Sequence, residues 1–263
     1  MQKNILDVVI LAGGFGTRLS EETVNIPKPL VKIGDKPILY YIMNWYSKFN
    51  QKNFIICSGY KSNEIKKYFI DFDIENSNVF IDLKKKNFKL ERNKVFDWQV
   101  KVIDTGLNSQ TGTRLKKIKK YLSLKNDNFL FTYGDGVSNI NIDSLIKFHL
   151  KHGKIATLSA ARPIARFGNI LLDGTKVKSF KEKDAISEGW VNAGFGIFNK
   201  KIFDYIPDNV DDCIFEKEPL ERVAQDGELM AFKHNDFWHP MDNIRDKKYL
   251  EKLILDGDGD WIK

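Results

Sequence analysis

A short apolar run, Val8 to Ala12, leads straight into Gly13-Gly14-Phe15-Gly16-Thr17-Arg18-Leu19, and nothing else in the chain restricts the fold so strongly. A β-branched run that stops at glycines reads as a buried strand opening a parallel sheet. Three glycines in four positions let the backbone approach a ligand and turn N–H groups toward a phosphate, because no Cβ blocks the concave side. Glycines at 13, 14 and 16 do not spell G-x-G-x-x-G, and no Gly-Lys-Ser/Thr ending follows. The dinucleotide fingerprint and the P-loop are therefore both absent. A purely structural tight turn is the competing reading.

Beyond the turn the pattern alternates. Ile38, Tyr41, Ile42, Trp45, Tyr46 and Phe49 recur at helical spacing, and Phe54 to Cys57 is a second buried strand. Ile65, Tyr68, Phe69 and Phe72 form the apolar face of a second helix, with Ser62 or Asn63 as its candidate cap. Val100 to Ile103, the Leu115/Ile118/Leu122 face, Phe129 to Tyr133 and the Leu145/Ile146/His149/Leu150 face repeat the theme. Strand and helix in strict succession predict a mostly parallel central sheet with helices on both faces, an α/β and Rossmann-like architecture. After Lys154 the texture changes, because Ile170 to Leu172 and Val177 to Phe180 flank Asp173-Gly174, a hairpin signal that adds antiparallel strands in the second half. Between Asp71 and Trp98 there is alternation without helical period, which predicts an irregular β excursion serving as a subunit contact or a surface flap. With no linker or repeat in sight, residues 1–263 are expected to form one continuous domain.

Composition excludes several classes. With 42% hydrophobic and 29% charged residues the chain is neither disordered nor fibrous. Two cysteines, Cys57 and Cys213, make neither a disulfide framework nor a zinc site, so a reducing compartment is expected. No run approaches the ~20 apolar residues of a membrane span, and Val8 to Ala12 is too short for a signal segment. The expected location is the cytoplasm, with no membrane partner. A formal charge of +7 admits nucleic acid, anionic lipid or phosphorylated ligands, yet the lysines are scattered and their one run, Lys84 to Lys86, is too short for a nucleic-acid patch.

Two cations sharpen the cradle. Arg18 follows the last glycine and offers a fork for phosphate oxygens, while Lys28 is fixed between Pro27 and Pro29. Together they suit a triphosphate. Asp135 lies past the carboxyl end of the Phe129 to Tyr133 strand between Gly134 and Gly136, where open α/β sheets place ligands. A hard Mg²⁺ carrying phosphates needs only one or two such carboxylates, although an aspartate in a glycine-flanked turn also has an ordinary structural use.

Gly13 to Leu19, Pro27-Lys28-Pro29 and Gly34-Asp35-Lys36-Pro37-Ile38 together resemble the sugar-phosphate nucleotidylyltransferases. Ser20-Glu21-Glu22-Thr23, Asp104-Thr105-Gly106, Thr111-Gly112 with Arg114-Leu115, and Phe131 to Val137 resemble the cytidylyltransferase branch acting on glucose 1-phosphate. So does the ending Phe237-Trp238, Pro240-Met241-Asp242 and Arg245-Asp246-Lys247. The resemblance spans nearly the whole chain and implies transfer of a cytidylyl group from CTP, with Mg²⁺ as cofactor. It implies Arg18 and Lys28 as catalytic residues. Nucleotide contacts are implied at Leu11, Ala12, Gly13, Gly14, Phe15, Gly16, Thr17, Arg18, Lys28, Ser109, Thr111, Arg114 and Gly134. It implies Asp135 and Asp242 as metal ligands, with Asp242 also a candidate helix N-cap and Thr111 a candidate cap of its own helix. On the acceptor side it implies Glu182 and Lys183 with Asn192 and Gly194, so that residues 1–150 would be the nucleotide-binding part and 151–263 the sugar-phosphate-binding part with C-terminal helices.

Two positions depart from the branch: Asp184 stands where proline is usual, and Ala193 where glycine is. Another sugar 1-phosphate, a heptose or modified hexose, therefore stays open as acceptor, as does a non-catalytic sensor of the same fold. The expected partners are small-molecule substrates and further copies of the chain in a homo-oligomer, without nucleic acid.

Overall fold

The computed structural model describes residues 5–92, 94–163, 169–181, 189–208, 212–259 and 261. Seven strands form its central sheet: β1 (Asp7–Ala12), β2 (Asn53–Ser58), β3 (Gln99–Asp104), β4 (Asn128–Tyr133), β5 (Ala156–Ala161), β6 (Val191–Asn199) and β7 (Leu229–His234). They lie in the order β7-β5-β6-β4-β1-β2-β3. β1 pairs in parallel with β2 and β4, β2 with β3, and β5 with β7, while β6 runs antiparallel to both β4 and β5. The sheet is thus mostly parallel, and β6 joins a first-half set of strands to a second-half set. This agrees with the expected α/β, Rossmann-like class.

Alternation along the strands feeds two cores. Val8, Ile10 and Ala12 face a cluster that includes Ile42, Tyr46, Phe195 and Leu250, whereas Val9 and Leu11 face one that includes Phe131, Phe198, Phe215 and Val223. Burying a single Ile or Phe side chain contributes about 1.5–3 kcal/mol, so a strand apolar on both faces is fixed in place. The covering helices are α1 (Ile38–Lys48), α2 (Ser62–Ile70), α3 (Thr111–Ile118), α4 (Ile142–His152), α5 (Glu218–Gln225) and α6 (Ile244–Asp256). α4 starts on Asn141, whose side chain accepts the Ser144 N–H, and stops on Gly153 at φ 66°. Among the described residues no helix is long and apolar enough to cross a membrane. Both cysteines are buried and free.

The Asp173-Gly174 signal marks a hairpin between Asn169–Asp173 and Lys176–Lys181, with Gly174 at φ 58°. Two local expectations fail. Neither Ser62 nor Asn63 caps α2: Lys61 holds that position at φ 49°, and the Ser62 hydroxyl pairs with Ser58 Oγ at 2.8 Å inside the core. The excursion before Trp98 is regular rather than irregular, a two-stranded ribbon of Ser77–Asp82 against Asn87–Arg92 in unbroken register.

Candidate active site

β1 and β4 end side by side, and the loops beyond them enclose a cleft of about 260 Å³. Every residue expected to contact the nucleotide lines it except Phe15, which packs against the Tyr60 ring outside. The three glycines have separate causes. Gly16 sits at φ 67°, and a Cβ there would fall 2.9 Å from the Thr23 methyl. Thr23 returns its hydroxyl to Gly16 O and Leu19 O, which ties down the Ser20–Glu22 turn beyond the cradle. At Gly13 a Cβ would fall 2.2 Å from Arg114 Nη1, whereas Gly14 faces open space. Only Gly14 therefore keeps a surface free for a ligand.

Arg114 is buried and its guanidinium is occupied by the protein itself. Nη1 donates to Ser58 O, Thr105 Oγ1 and Gly106 O, and Nη2 to Gly13 O and Leu107 O. It clamps the carboxyl ends of β2 and β3 to the cradle. Ser109, likewise buried, donates to Thr105 O at 2.6 Å and accepts from Lys117. Thr111 is the first residue of α3 rather than its cap, which is Gln110; its hydroxyl goes to Glu216 at 2.6 Å.

Four charged side chains meet at the lip of the cleft. Lys28 Nζ donates to Asp135 Oδ2 at 2.7 Å and to Asp242 Oδ1 at 3.0 Å, and Arg18 Nη1 donates to Asp242 Oδ2 at 2.8 Å. Lys28 is fixed by the short 3-10 turn Lys28–Leu30, entered from Pro27 in extended conformation. Burial alone would lower its pKa. The field and hydrogen bond of Asp135, with those of Asp242, outweigh that and raise it above the ordinary lysine value, so the ammonium stays charged.

A small ladder closes the 107-position separation of the two aspartates. Gly136–Ser138 pairs antiparallel with Trp238–Pro240, and Met241 N–H donates to Asp135 O at 2.8 Å. This sets Asp242 beside Asp135. Asp242 does not cap the last helix: Asn243 does, in a capping box with Asp246, and the Asp242 N–H donates to Asp246 Oδ2. Its carboxylate is left for the cations. His239, given no role, packs on the Tyr249 ring.

Two hard carboxylates that already converge on one positive charge suit a small hard dication bringing phosphate oxygens of its own. No group of three or more His, Cys, Asp or Glu side chains converges among the described residues, so protein ligands alone would not complete such a shell. On the acceptor side Asn192 Oδ1 accepts the Gly194 N–H at 2.9 Å, and Gly194, at φ 77°, leaves room for the Tyr133 ring. Glu182, Lys183 and Asp184 lie outside the described residues.

Gln110, Tyr133 and Pro29 also line the cleft, although the sequence motifs gave none of them a binding role. Burial first, then the negative field of Glu216 and the hydrogen bond to it, hold the Tyr133 hydroxyl well above the ordinary tyrosine range. It is a donor at every working pH.

A glycine cradle, a lysine bridging two aspartates and a switch-point cleft define a phosphoryl-handling α/β protein, and the chain belongs to the Nucleotidyl transferase family, whose pattern matches residues 7–245. It is 47% identical over 256 residues to the glucose-1-phosphate cytidylyltransferase of Salmonella typhi, covering 97% of this chain and 98% of that protein. Among solved structures it resembles HddC from Yersinia pseudotuberculosis complexed with GMP-PN, at a TM-score of 0.68 and 27% identity over 95% of this chain and 100% of that one. A UDP-glucose pyrophosphorylase complexed with UDP-glucose shares the fold at a TM-score of 0.68 and 15% identity, over 97% of this chain and 100% of that one.

Proposed function

We propose that the chain transfers a cytidylyl group from CTP to α-D-glucose 1-phosphate, giving CDP-glucose and pyrophosphate, with Mg²⁺ as its metal. The observation that carries the reading is the Arg18, Lys28, Asp135 and Asp242 cluster at the lip of the glycine cradle. The base and sugar are supported by the name of the relative at 47% identity.

A phosphate oxygen of the sugar 1-phosphate attacks the α-phosphorus of CTP, and the bond to the bridging oxygen breaks in line as pyrophosphate leaves. No protein nucleophile is needed. The second pKa of a phosphate monoester is about 6, so the attacking group is mostly dianionic at pH 7 and needs no general base. The chain's contribution is to hold two polyanions in register and to neutralise charge at the leaving group. Backbone N–H groups of the cradle receive phosphates, Arg18 and Lys28 supply positive charge, and Asp135 and Asp242 are the residues that would hold the metal. A dication held there would draw charge from the departing pyrophosphate. On the acceptor side Lys183 binds the sugar phosphate while Glu182 and Asn192, beside Gly194, bond its hydroxyls.

In this reading residues 1–150 carry the nucleotide, residues 151–263 carry the acceptor, and the enzyme works in the cytoplasm. It assembles as a homo-oligomer, supported by the ribbon that turns Phe80, Ile81, Leu83 and Phe88 to solvent. The deciding experiment is a pyrophosphate-release assay crossing four nucleoside triphosphates with glucose, heptose and modified hexose 1-phosphates. CTP with glucose 1-phosphate is expected to be the best pair, with UTP poorer. A tenfold or greater advantage for dTTP, about 1.4 kcal/mol, would overturn the base assignment.

A further inference from the structure

Glu216 lies in the turn before α5, and none of the sequence motifs points to it. Its two oxygens take two different hydroxyls: Oε2 accepts from Thr111 at 2.6 Å and Oε1 accepts from Tyr133. Thr111 opens α3 on the nucleotide side, and its oxygen accepts the Phe215 N–H at 2.9 Å, so this hydroxyl is spent on fastening the Glu216 turn. Tyr133 ends β4 two residues before Asp135, and its ring lies against Gly194 on β6, so closely that a Cβ at that glycine would overlap it.

The direction of this chain is fixed. Glu216 only accepts, so Tyr133 must donate to it, and that bond holds the tyrosine ring against Gly194. Asn192 Oδ1 is meanwhile held by the Gly194 N–H at 2.9 Å. Holding Gly194 under the Tyr133 ring therefore also holds the Asn192 amide, through the oxygen that takes the Gly194 N–H. Two hydroxyls that both need an acceptor are matched by a carboxylate, which presents one on each oxygen. A glutamine offers a single oxygen and turns a donor toward the other hydroxyl.

We propose that Glu216 is a positioning residue for both substrates, setting the start of α3 through Thr111 on the nucleotide side and the Asn192 amide through Tyr133 on the acceptor side. The inference rests on the cytidylyl transfer proposed above. It makes Glu216 a node with two branches that can be cut separately.

The test compares Tyr133→Phe, Thr111→Val, Glu216→Gln and the Glu216→Gln/Tyr133→Phe double variant. Initial rates are measured with each substrate varied, alongside thermal melts and calorimetric binding of CTP alone and glucose 1-phosphate alone. Tyr133→Phe is expected to raise KM for the sugar phosphate about tenfold, the scale of one lost charge-assisted hydrogen bond, and to leave KM for CTP within about twofold. Thr111→Val should do the reverse. Glu216→Gln should raise both, and the double variant should raise the acceptor KM no further than Glu216→Gln does. Losses confined to kcat, or lowered melting temperatures with both KM values and both affinities unmoved, would reduce Glu216 to a plain crosslink and overturn the proposal. The two binding measurements need no turnover, so a wild-type enzyme that prefers another pair sinks the substrate assignment while the split between variants still decides the role of Glu216.

Discussion

Removing the Lys28 amine tests the charged cluster most directly. In Lys28→Ala two charge-assisted hydrogen bonds disappear, at 2.7 and 3.0 Å, and the Asp135 and Asp242 carboxylates are left facing each other. Such bonds are worth about 1.5–3 kcal/mol each when well buried. Here the Asp135 side chain is 33% exposed and Asp242 keeps Arg18, so solvent and the second cation soften the loss to about 2 kcal/mol. At roughly 2–4 °C per kcal/mol for a chain of this size, the melting temperature should fall by about 4–8 °C. Turnover should fall about a hundredfold, the scale of one preorganised transition-state contact. With the competing ammonium gone, added Mg²⁺ should restore most of the lost melting temperature in the variant while moving the wild type little. Calorimetry with and without Mg²⁺, paired with pyrophosphate release, reads all three. Near-normal turnover, or a melt indifferent to Mg²⁺, would refute the argument that Lys28 neutralises a metal-binding carboxylate pair. Arg18→Ala offers the contrast, since its side chain is 72% exposed: turnover should drop similarly with the melt almost unchanged.

Three further outcomes are expected. Asp135→Asn and Asp242→Asn should each abolish most metal-dependent turnover, and the double variant should lose little more than either alone, because groups acting as one unit are not additive; full additivity in the rate assay would separate them. Gly13→Ala forces a methyl to 2.2 Å from the clamped Arg114 guanidinium and should cost about 3 kcal/mol, whereas Gly14→Ala should keep its stability and raise KM for CTP; a denaturant series and a CTP titration distinguish the two. Burial, with the nearby His152, depresses the buried His149 imidazole to about 4 in the folded chain, against about 6.5 unfolded. The unfolded chain binds the extra proton in that window, so up to about 3 kcal/mol of stability present above pH 6.5 is lost by pH 4; a pH series of melts on wild type and His149→Gln would show the variant's profile flatter.

The first half of the sheet was legible because its strands are continuous apolar runs buried on both faces, as at Val8 to Ala12 and Phe54 to Cys57. Strands β5 and β6 were not, because small residues replace that pattern where backbones pass closely. A Cβ at Gly196 would fall 2.7 Å from Thr157 O, and Gly194 lies under the Tyr133 ring. Ser62 and Thr111 look like caps in sequence, but their hydroxyls are spent on tertiary partners. The cradle and both cations were readable as local motifs. The meeting of Asp135 and Asp242 was not readable as geometry, since it depends on a ladder whose two strands have only three residues each. Glu216 gave no signal at all, having no motif and acting through two hydroxyls far from it in the chain.

The charge count of the cluster supports the metal proposed for this site. Arg18 and Lys28 together balance Asp135 and Asp242, so the four side chains exert no net pull on an incoming anion. A nucleoside triphosphate carries roughly three to four negative charges near pH 7. The overall +7 of the chain steers such an anion only over the screened distance of about 8 Å at physiological salt. Seating it within hydrogen-bond distance of two carboxylates therefore requires that it bring countercharge of its own. A dication held by Asp135 and Asp242 would turn those carboxylates from a source of repulsion into ligands, and would leave the Lys28 ammonium for the phosphates. Under the proposed function Asp135 and Asp242 would then serve selectivity as much as rate, admitting the metal-bound triphosphate and opposing the bare one.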